Sequence, residues 1–490
     1  MEKTTVSRNQ LVNQLLRIGH GNLDIYKDIS LQAIKEEPEL FAHFIAWNHI
    51  KGQVRDSKVA FPVLALRGTS DAELYGNAAA HLCLLDPRNL VRAVMFHKEL
   101  SKNGSPLKDG AGKMLNFAVN EYLRVREKNA PWWIRTVLQH RKSMKSLYAL
   151  FHRRPTGMAQ AILFDREKPA GTPFEAVARL KTMSPEEAAG TILNHKIPFL
   201  VATGALGGIK GKTDIILALI ERMSGNEVIG NTVTLEKWGV FESPILKAAY
   251  DAAVERAKKD KKVSTLKAGK AIEKAGKKAT PKMKALQEEK LSQLGGIDGD
   301  WLVLGDRSGS MFLTIEMARF TASLIAQQVK GKVYLIFFNT EPQRYDVTGL
   351  TFEQIKTMTA RVTATGGTAI GCGVDLIREL GIVVNGIVIC SDGGDNTRPL
   401  FHEAYRKYAE QMGIEPTVYH FWVPGESNVL TRYCATGNIP VQMFDMSKNT
   451  DYYSLPNIIP TLRSNRYTLY DEIMGIPLLT ISQALERTAK

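Results

Sequence analysis

From about residue 8 to residue 255 apolar positions recur at helical spacing, as in AELYGNAAAHLCLL and MLNFAVNEYL. No stretch there shows the alternation of a half-buried strand. Start signals punctuate the run. Asp86-Pro87 precedes LVRAVMFHKEL, and Thr172-Pro173 precedes FEAVARL with Glu175 three residues after the threonine. Ser184-Pro185 precedes EEAAGTIL, with Glu187 placed to close a capping box. Short helices cannot each bury an apolar face alone. The pattern therefore predicts helices stacked in pairs, an α-solenoid of HEAT-like repeats.

After residue 299 the pattern changes. The runs WLVLG, KVYLIFF, GIVIC, TVYHFWV and VQMFDM alternate with helical segments, which predicts βαβ units around a doubly wound, mostly parallel sheet. The chain thus reads as multidomain, α followed by α/β. Residues 1–255 form the helical part, and 256–299 a basic Lys/Ala-rich insertion or linker that ends in the turn-forming LGGIDGD. Residues 300–465 form the doubly wound domain. Residues 466–490 are a C-terminal extension expected to pack back on the helical region.

The first strand of that domain runs into Asp306-Arg307-Ser308-Gly309-Ser310. About 60 residues later Thr365-Gly366-Gly367-Thr368 lies in a glycine-rich loop, and GIVIC ends in Ser391-Asp392. Ligands of open α/β sheets bind at the carboxyl ends of strands, where these segments fall. Carboxylates and hydroxyls are hard oxygens, the donors magnesium and calcium prefer. The candidate ligands are Asp306, Ser308, Ser310, Thr368 and Asp392, and the expected cofactor is a divalent metal, magnesium foremost. Strand–DxSxS, then TGGT, then an apolar strand ending in SD resembles the metal-ion-dependent adhesion site of von Willebrand factor A domains. That resemblance spans roughly residues 300–465 and implies a metal with a position open to a partner's carboxylate. Asp395 in GGDN reads as turn chemistry.

Charge adds a second theme. The chain of 490 residues carries a net charge of +14, which points to a polyanionic partner such as nucleic acid. Residues 256–290 hold 13 Lys or Arg against 4 Asp or Glu, so much of the excess is local. The four cysteines are far apart, without metal-binding or paired spacing, and read as reduced, buried thiols of a cytoplasmic protein. The opening MEKTTVSRNQ has no apolar core of a secretory signal. No apolar run approaches the length of a membrane span, so no membrane partner is expected.

WWIRTVLQHRKSMKSLYALFHRRP, residues 132–155, interleaves cations with aromatic side chains. Lys145, Tyr148 and His152 fall on one face of a helix starting near Ser143. Cations can neutralise phosphates and aromatic faces can stack bases. The same pattern equally fits a basic amphipathic helix whose Tyr and Trp are core. The order of the whole, a helical repeat region followed by a von Willebrand A domain, resembles the TROVE-module proteins of the Ro autoantigen family. KSLYALFHRRP, IPFLVATGALG and SPILKAAYDAA are similar to three of that family's helices. The family's pattern is broken at Ala149, where an arginine is usual, and at Gly204-Ala205, where an Arg-Asn pair is usual.

The resemblance implies helices closed into a ring that binds small noncoding Y-type RNA and single-stranded 3′ ends of misfolded RNA. It makes the protein an RNP scaffold in RNA quality control, with an exoribonuclease or other protein as a further partner through the metal site. Candidate RNA-binding residues are Arg135, His140, Arg141, Lys142, Lys145, His152, Arg153, Lys210 and Lys212. The last two lie in Gly207-Gly208-Ile209-Lys210-Gly211-Lys212-Thr213, which falls short of a phosphate-binding Walker loop because Leu206 stands where glycine is required. It reads as a turn between helices. With no GxSxG or HExxH motif, the chain is expected to bind rather than catalyse. The alternative is a magnesium-dependent protein-interaction adaptor acting through the von Willebrand A domain.

Overall fold

The computed structural model describes residues 11–489 apart from 13, 17, 19–20, 53, 103–109, 261–262, 264–267, 269–270, 273–274, 276–280, 293–296, 310, 426–427, 447–461 and 463–467. It divides into two compact units. One comprises residues 1–287 with 470–490, the other residues 288–469.

In the first unit, after a 3-10 turn at Leu23–Tyr26, the described residues form the helices α1 (Lys27–Glu36), α2 (Pro38–Lys51), α3 (Arg55–Gly68), α4 (Ala72–Cys83), α5 (Pro87–Lys102), α6 (Ala111–Lys128) and α7 (Ala130–Leu150). From α1 to α7 each helix packs against the next but one, as well as against sequence neighbours, so apolar faces are buried by stacking. Shorter helices follow: α8 (Gly157–Leu163), α9 (Pro173–Arg179), α10 (Pro185–Asn194), α11 (Phe199–Ala205), α12 (Thr213–Arg222), α13 (Gly225–Gly230), α14 (Thr232–Lys237) and α15 (Pro244–Lys259). Ser184 and Glu187 form the expected capping box at α10, and Asp86 accepts the Arg88 and Asn89 N–H groups at α5. Thr172 does not cap α9; its hydroxyl instead donates to the Pro169 carbonyl at 2.5 Å.

The basic stretch after Arg256 contributes to this unit's core. Val263, Ala268, Ala271 and Ala275, with Met283 and Leu286 of α16 (Pro281–Ser292), are buried with residues of α10, α12 and α15. Small apolar side chains at helix-like intervals make this a buried stripe. The C-terminal segment docks on the same unit. Glu472 accepts from the Trp47 indole at 2.7 Å and pairs with Lys51 at 2.9 Å, and Asn77 accepts the Leu479 N–H at 3.1 Å.

His81 is buried and His49 partly buried against it, ring centres 5.5 Å apart. Burial pushes His49 down to about 3 and His81 down to about 4. Both stay neutral when folded, while the unfolded chain protonates near the ordinary value of 6.5. Their contribution to stability is therefore complete above pH 6.5 and is lost as pH falls below it, by roughly 2 kcal/mol per histidine at pH 5. The urea midpoint is expected to fall between pH 7 and pH 5, and a His81→Gln variant to show a shallower fall. A pH-independent midpoint would contradict this.

In the second unit the described residues form six strands: β1 (Trp301–Asp306), β2 (Val333–Phe338), β3 (Pro342–Asp346), β4 (Gly386–Ser391), β5 (Thr417–Trp422) and β6 (Val441–Asp445). Their order is β3-β2-β1-β4-β5-β6, parallel except for β3 against β2. The exposed edge strand β3 is absent from the five strands expected from sequence, because PQRYD is too polar to stand out. Its helices among the described residues are α17 (Phe312–Ala326), α18 (Phe352–Met358), α19 (Gly371–Glu379), α20 (Phe401–Met412) and α21 (Val429–Thr436), while α22 (Thr468–Met474) and α23 (Ile481–Ala489) belong to the C-terminal segment that docks on the first unit.

Strands β1, β2 and β4 are buried throughout, as sheets covered on both faces require. Alternate residues divide between two cores. Trp301 and Val303 lie on the α17 side, Leu302 and Leu304 on the α19 and α20 side. Gly305 lets α17 approach, since a Cβ there would lie 2.6 Å from that of Ala318. All four cysteines are free and buried, and no described helix is long and apolar enough to cross a membrane.

Candidate functional site

The chain leaves β1 for one side of the sheet and later returns to place β4 on β1's other flank. This is a topological switch point, where loops diverge and leave a crevice at the strands' carboxyl ends. Asp306 ends β1 and is wholly buried. Its carboxylate accepts the Ser308 N–H at 2.8 Å and the Ser391 hydroxyl at 2.7 Å. The TGGT loop is tied to the same place: Thr365 donates its N–H to the Arg307 carbonyl at 2.7 Å, and Gly309 to that of Gly366 at 3.3 Å. Gly366 has φ +80°, and a Cβ there would press on Asn339 at 3.0 Å. Thr368 is buried, and its carbonyl accepts from Asn396 and Thr397. Asp392 follows β4, also buried, and accepts the Gly394 N–H at 2.9 Å. Backbone bonds thus draw the loops of Asp306, Ser308 and Thr368 together, and the Ser391 hydroxyl links Asp306 to the segment carrying Asp392. Ser310 lies outside the described residues.

The donor set fits a hard divalent cation. Burial raises the Asp306 carboxyl above its ordinary range, hydrogen bonds oppose that shift, and the Asp392 charge adds to it. Two buried carboxylates favour a cation as counter-charge. Asp306, Ser308, Thr368 and Asp392 could hold magnesium, with waters completing its shell. No group of three or more His, Cys, Asp or Glu placed to hold a metal ion occurs among the described residues.

Three supporting residues go beyond the sequence-derived set. The Ser391 hydroxyl orients Asp306. Asn339, just past β2, donates to the Thr365 carbonyl at 2.9 Å. Asp395, buried with its carboxyl pushed up to about 6 by burial, accepts the Ile370 and Phe401 N–H groups at 3.1 and 2.7 Å, where α19 and α20 begin. The signal for Asn339 was its place after an apolar strand at the same rim.

The basic segment forms α7, interrupted by a kink at His140. Arg135, Lys142 and Lys145 are exposed and make no ion pair among the described residues. The Lys145 ammonium lies 5.1 Å from the Phe164 ring centre. Arg141 donates to the Ile162 carbonyl at 2.6 Å, and Arg153 lies 3.8 Å from Glu127. His140 is half-buried, and burial lowers its pKa.

The expected face of Lys145, Tyr148 and His152 is not formed. The helix ends at Leu150, His152 has φ +50°, and Tyr148 is buried with its hydroxyl donating to Glu127. Trp133 is buried too, so neither ring can stack a base. The interleaved pattern arises because one helix carries its core stripe and its cationic stripe a few residues apart. Tyr148→Phe is expected to cost about 1 kcal/mol of stability, by loss of the bond to Glu127, and to leave RNA affinity unchanged. Urea melts with binding isotherms check this; weaker binding at equal stability would return Tyr148 to the surface.

Lys210 is exposed and Lys212 half-buried in the turn between α11 and α12, with Gly211 at φ +81°. Lys181, which sequence reasoning missed, borders this turn, its Cε 3.8 Å from where a Gly207 Cβ would lie.

Compared with solved structures, the chain is similar to the crystal structure of the Deinococcus radiodurans Ro (RSR) protein. The TM-score is 0.61 at 14% sequence identity, over 92% of this chain and 99% of the other. The fold is that of a Ro protein. No protein-family model and no curated protein matches the sequence. The Ro-like fold accounts for the order of the two units, helical repeats first and the six-stranded sheet second. It also places the candidate residues in two groups: the cations of α7 and of the α11–α12 turn in the helical unit, and the hard-oxygen loops in the other.

Proposed function

We propose that this chain is an RNA-binding, Ro-like scaffold of a ribonucleoprotein. Its helical unit closes into a ring that takes single-stranded 3′ ends of misfolded RNA and a small Y-like noncoding RNA, and it acts in the cytoplasm by binding rather than by catalysis. The observation that carries this reading is the likeness to a Ro protein over nearly the whole chain. Arg135, Lys142 and Lys145, exposed and without an ion pair among the described residues, and the net charge of +14 support it.

In this reading magnesium is held by Asp306, Ser308, Thr368 and Asp392 and offers an electrophilic position to an oxygen ligand. One feature favours a protein there, an exoribonuclease or another adaptor partner: Phe312 and Leu313, at the start of α17 beside the Asp306 loop, are 70% and 56% exposed.

The test is binding of a structured RNA with a single-stranded 3′ tail against the same RNA without it, over a salt series. Tail-dependent affinity that falls about a thousandfold between about 50 and 200 mM salt is expected for a site neutralising several phosphates. Equal, weak binding of both RNAs would overturn the reading in favour of the magnesium-dependent protein adaptor.

A further inference from the structure

The helical unit carries a groove that the RNA reading leaves unused. It lies between the first turns of α4, the middle of α6 and the C-terminal segment leading into α23, with a volume of about 770 Å³. Its lining includes Phe117, Val125, Leu478 and Ile481. Phe117 is 56% exposed, an unusual position for a phenylalanine with apolar neighbours at hand.

The rim is acidic. Glu73 stands on the α4 side and Glu486 on the α23 side, and neither makes an ion pair among the described residues. The third carboxylate, Glu121, is neutralised by Arg124, which grips it with Nε at 2.9 Å and Nη2 at 2.7 Å. Glu486 accepts the Ser482 hydroxyl at 3.2 Å, which leaves its charge in place. Two carboxylates without an ion pair among the described residues, flanking an apolar floor, are a local inversion of the chain's charge of +14. Such a rim repels phosphates and attracts cations, so the groove does not serve the RNA backbone.

We infer that this groove docks a short segment of a partner protein that presents an aromatic or aliphatic anchor flanked by lysine or arginine. The anchor covers Phe117 and fills the space over Gly76, where a Cβ would meet nothing within 4 Å. The basic flanks pair with Glu73 and Glu486. The C-terminal segment supplies one wall, so its docking on α2 and α4 builds the groove. The inference does not depend on RNA binding.

The test uses the full-length protein and a fluorescein-labelled amphipathic peptide with Phe and Leu on one helical face and Lys on the other. A second peptide has every Lys replaced by Glu. Anisotropy is expected to show the Lys peptide binding at least about fivefold more tightly, as two exposed ion pairs allow. Glu73→Lys with Glu486→Lys should abolish the preference. Gly76→Leu should abolish binding, because leucine fills the groove while favouring the helix, so this variant melts no lower than the parent. Equal binding of the two peptides would overturn the inference, as would undiminished binding to folded Gly76→Leu. Binding that RNA competes away in parallel with the loss of RNA affinity in an Arg135→Glu, Lys142→Glu variant would also overturn it, by placing the peptide on the cationic face.

Discussion

If magnesium occupies the proposed site, it stabilises the intact protein, and Asp306→Ala is expected to abolish that rise in thermal stability. The carboxylate sits wholly buried at the end of β1, fixed by the Ser308 N–H and the Ser391 hydroxyl. Burial and the nearby Asp392 both make its charge costly. At the proposed site a divalent cation would offset that cost only where the loops are assembled, and so would bind the folded chain and not the unfolded one. Ligand at a hundred times its dissociation constant then adds about 2.7 kcal/mol to stability. Alanine removes the central donor and leaves the Ser391 hydroxyl without its acceptor. Asp306→Asn keeps the acceptor for the Ser308 N–H, lets its amide donate to the Ser391 hydroxyl in place of accepting from it, and has nearly the same volume while removing the charge. Both variants should melt at the same temperature with magnesium as with chelator, and the asparagine variant should stay closer to the parent. A magnesium-dependent rise persisting in the asparagine variant would show that the ion binds elsewhere. RNA affinity should change little in either, since Asp306 and α7 belong to different compact units.

The hard-oxygen loops were legible in sequence because their chemistry is local. An apolar strand, a DxSxS turn and a glycine-rich loop each announce themselves within a few residues, and the sheet's parallel order brings them to one rim. What stayed hidden depends on partners far along the chain. Ser391 serves Asp306 across 85 positions, and Asn339 braces Thr365 across 26. The polar edge strand β3 borrows its order from β2 and has no apolar signature of its own. In α7 the difficulty is of another kind. Periodicity identifies a helix with two stripes, but both cations and aromatics satisfy an RNA-binding pattern. Only packing shows that Trp133 and Tyr148 face inward and that the helix stops before His152. The basic stretch after Arg256 was ambiguous for the converse reason. Its buried residues Ala268, Ala271 and Ala275 are too small to give a strong apolar signal, while the lysines between them dominate composition.

Reversing Arg135, Lys142 and Lys145 together to glutamate is expected to weaken binding of tailed RNA about a hundredfold and to lower the slope of log affinity against log salt by about 3. These three side chains are exposed and make no ion pair among the described residues, so their charge is available to phosphate. Their replacement should leave the core of α7 intact, because that core is Trp133, Val137, Met144, Leu147 and Tyr148. Arg141 and Arg153 make poorer targets. Arg141 is engaged by the Ile162 carbonyl and Arg153 lies near Glu127, so reversing them would disturb packing as well as charge. The slope separates the two causes. Loss of phosphate contacts reduces it, whereas partial unfolding lowers the active fraction without changing it. An unchanged slope in a variant with parental melting temperature would remove α7 from the RNA surface. The Lys181, Lys210 and Lys212 turn would then become the better candidate for the phosphate-binding face.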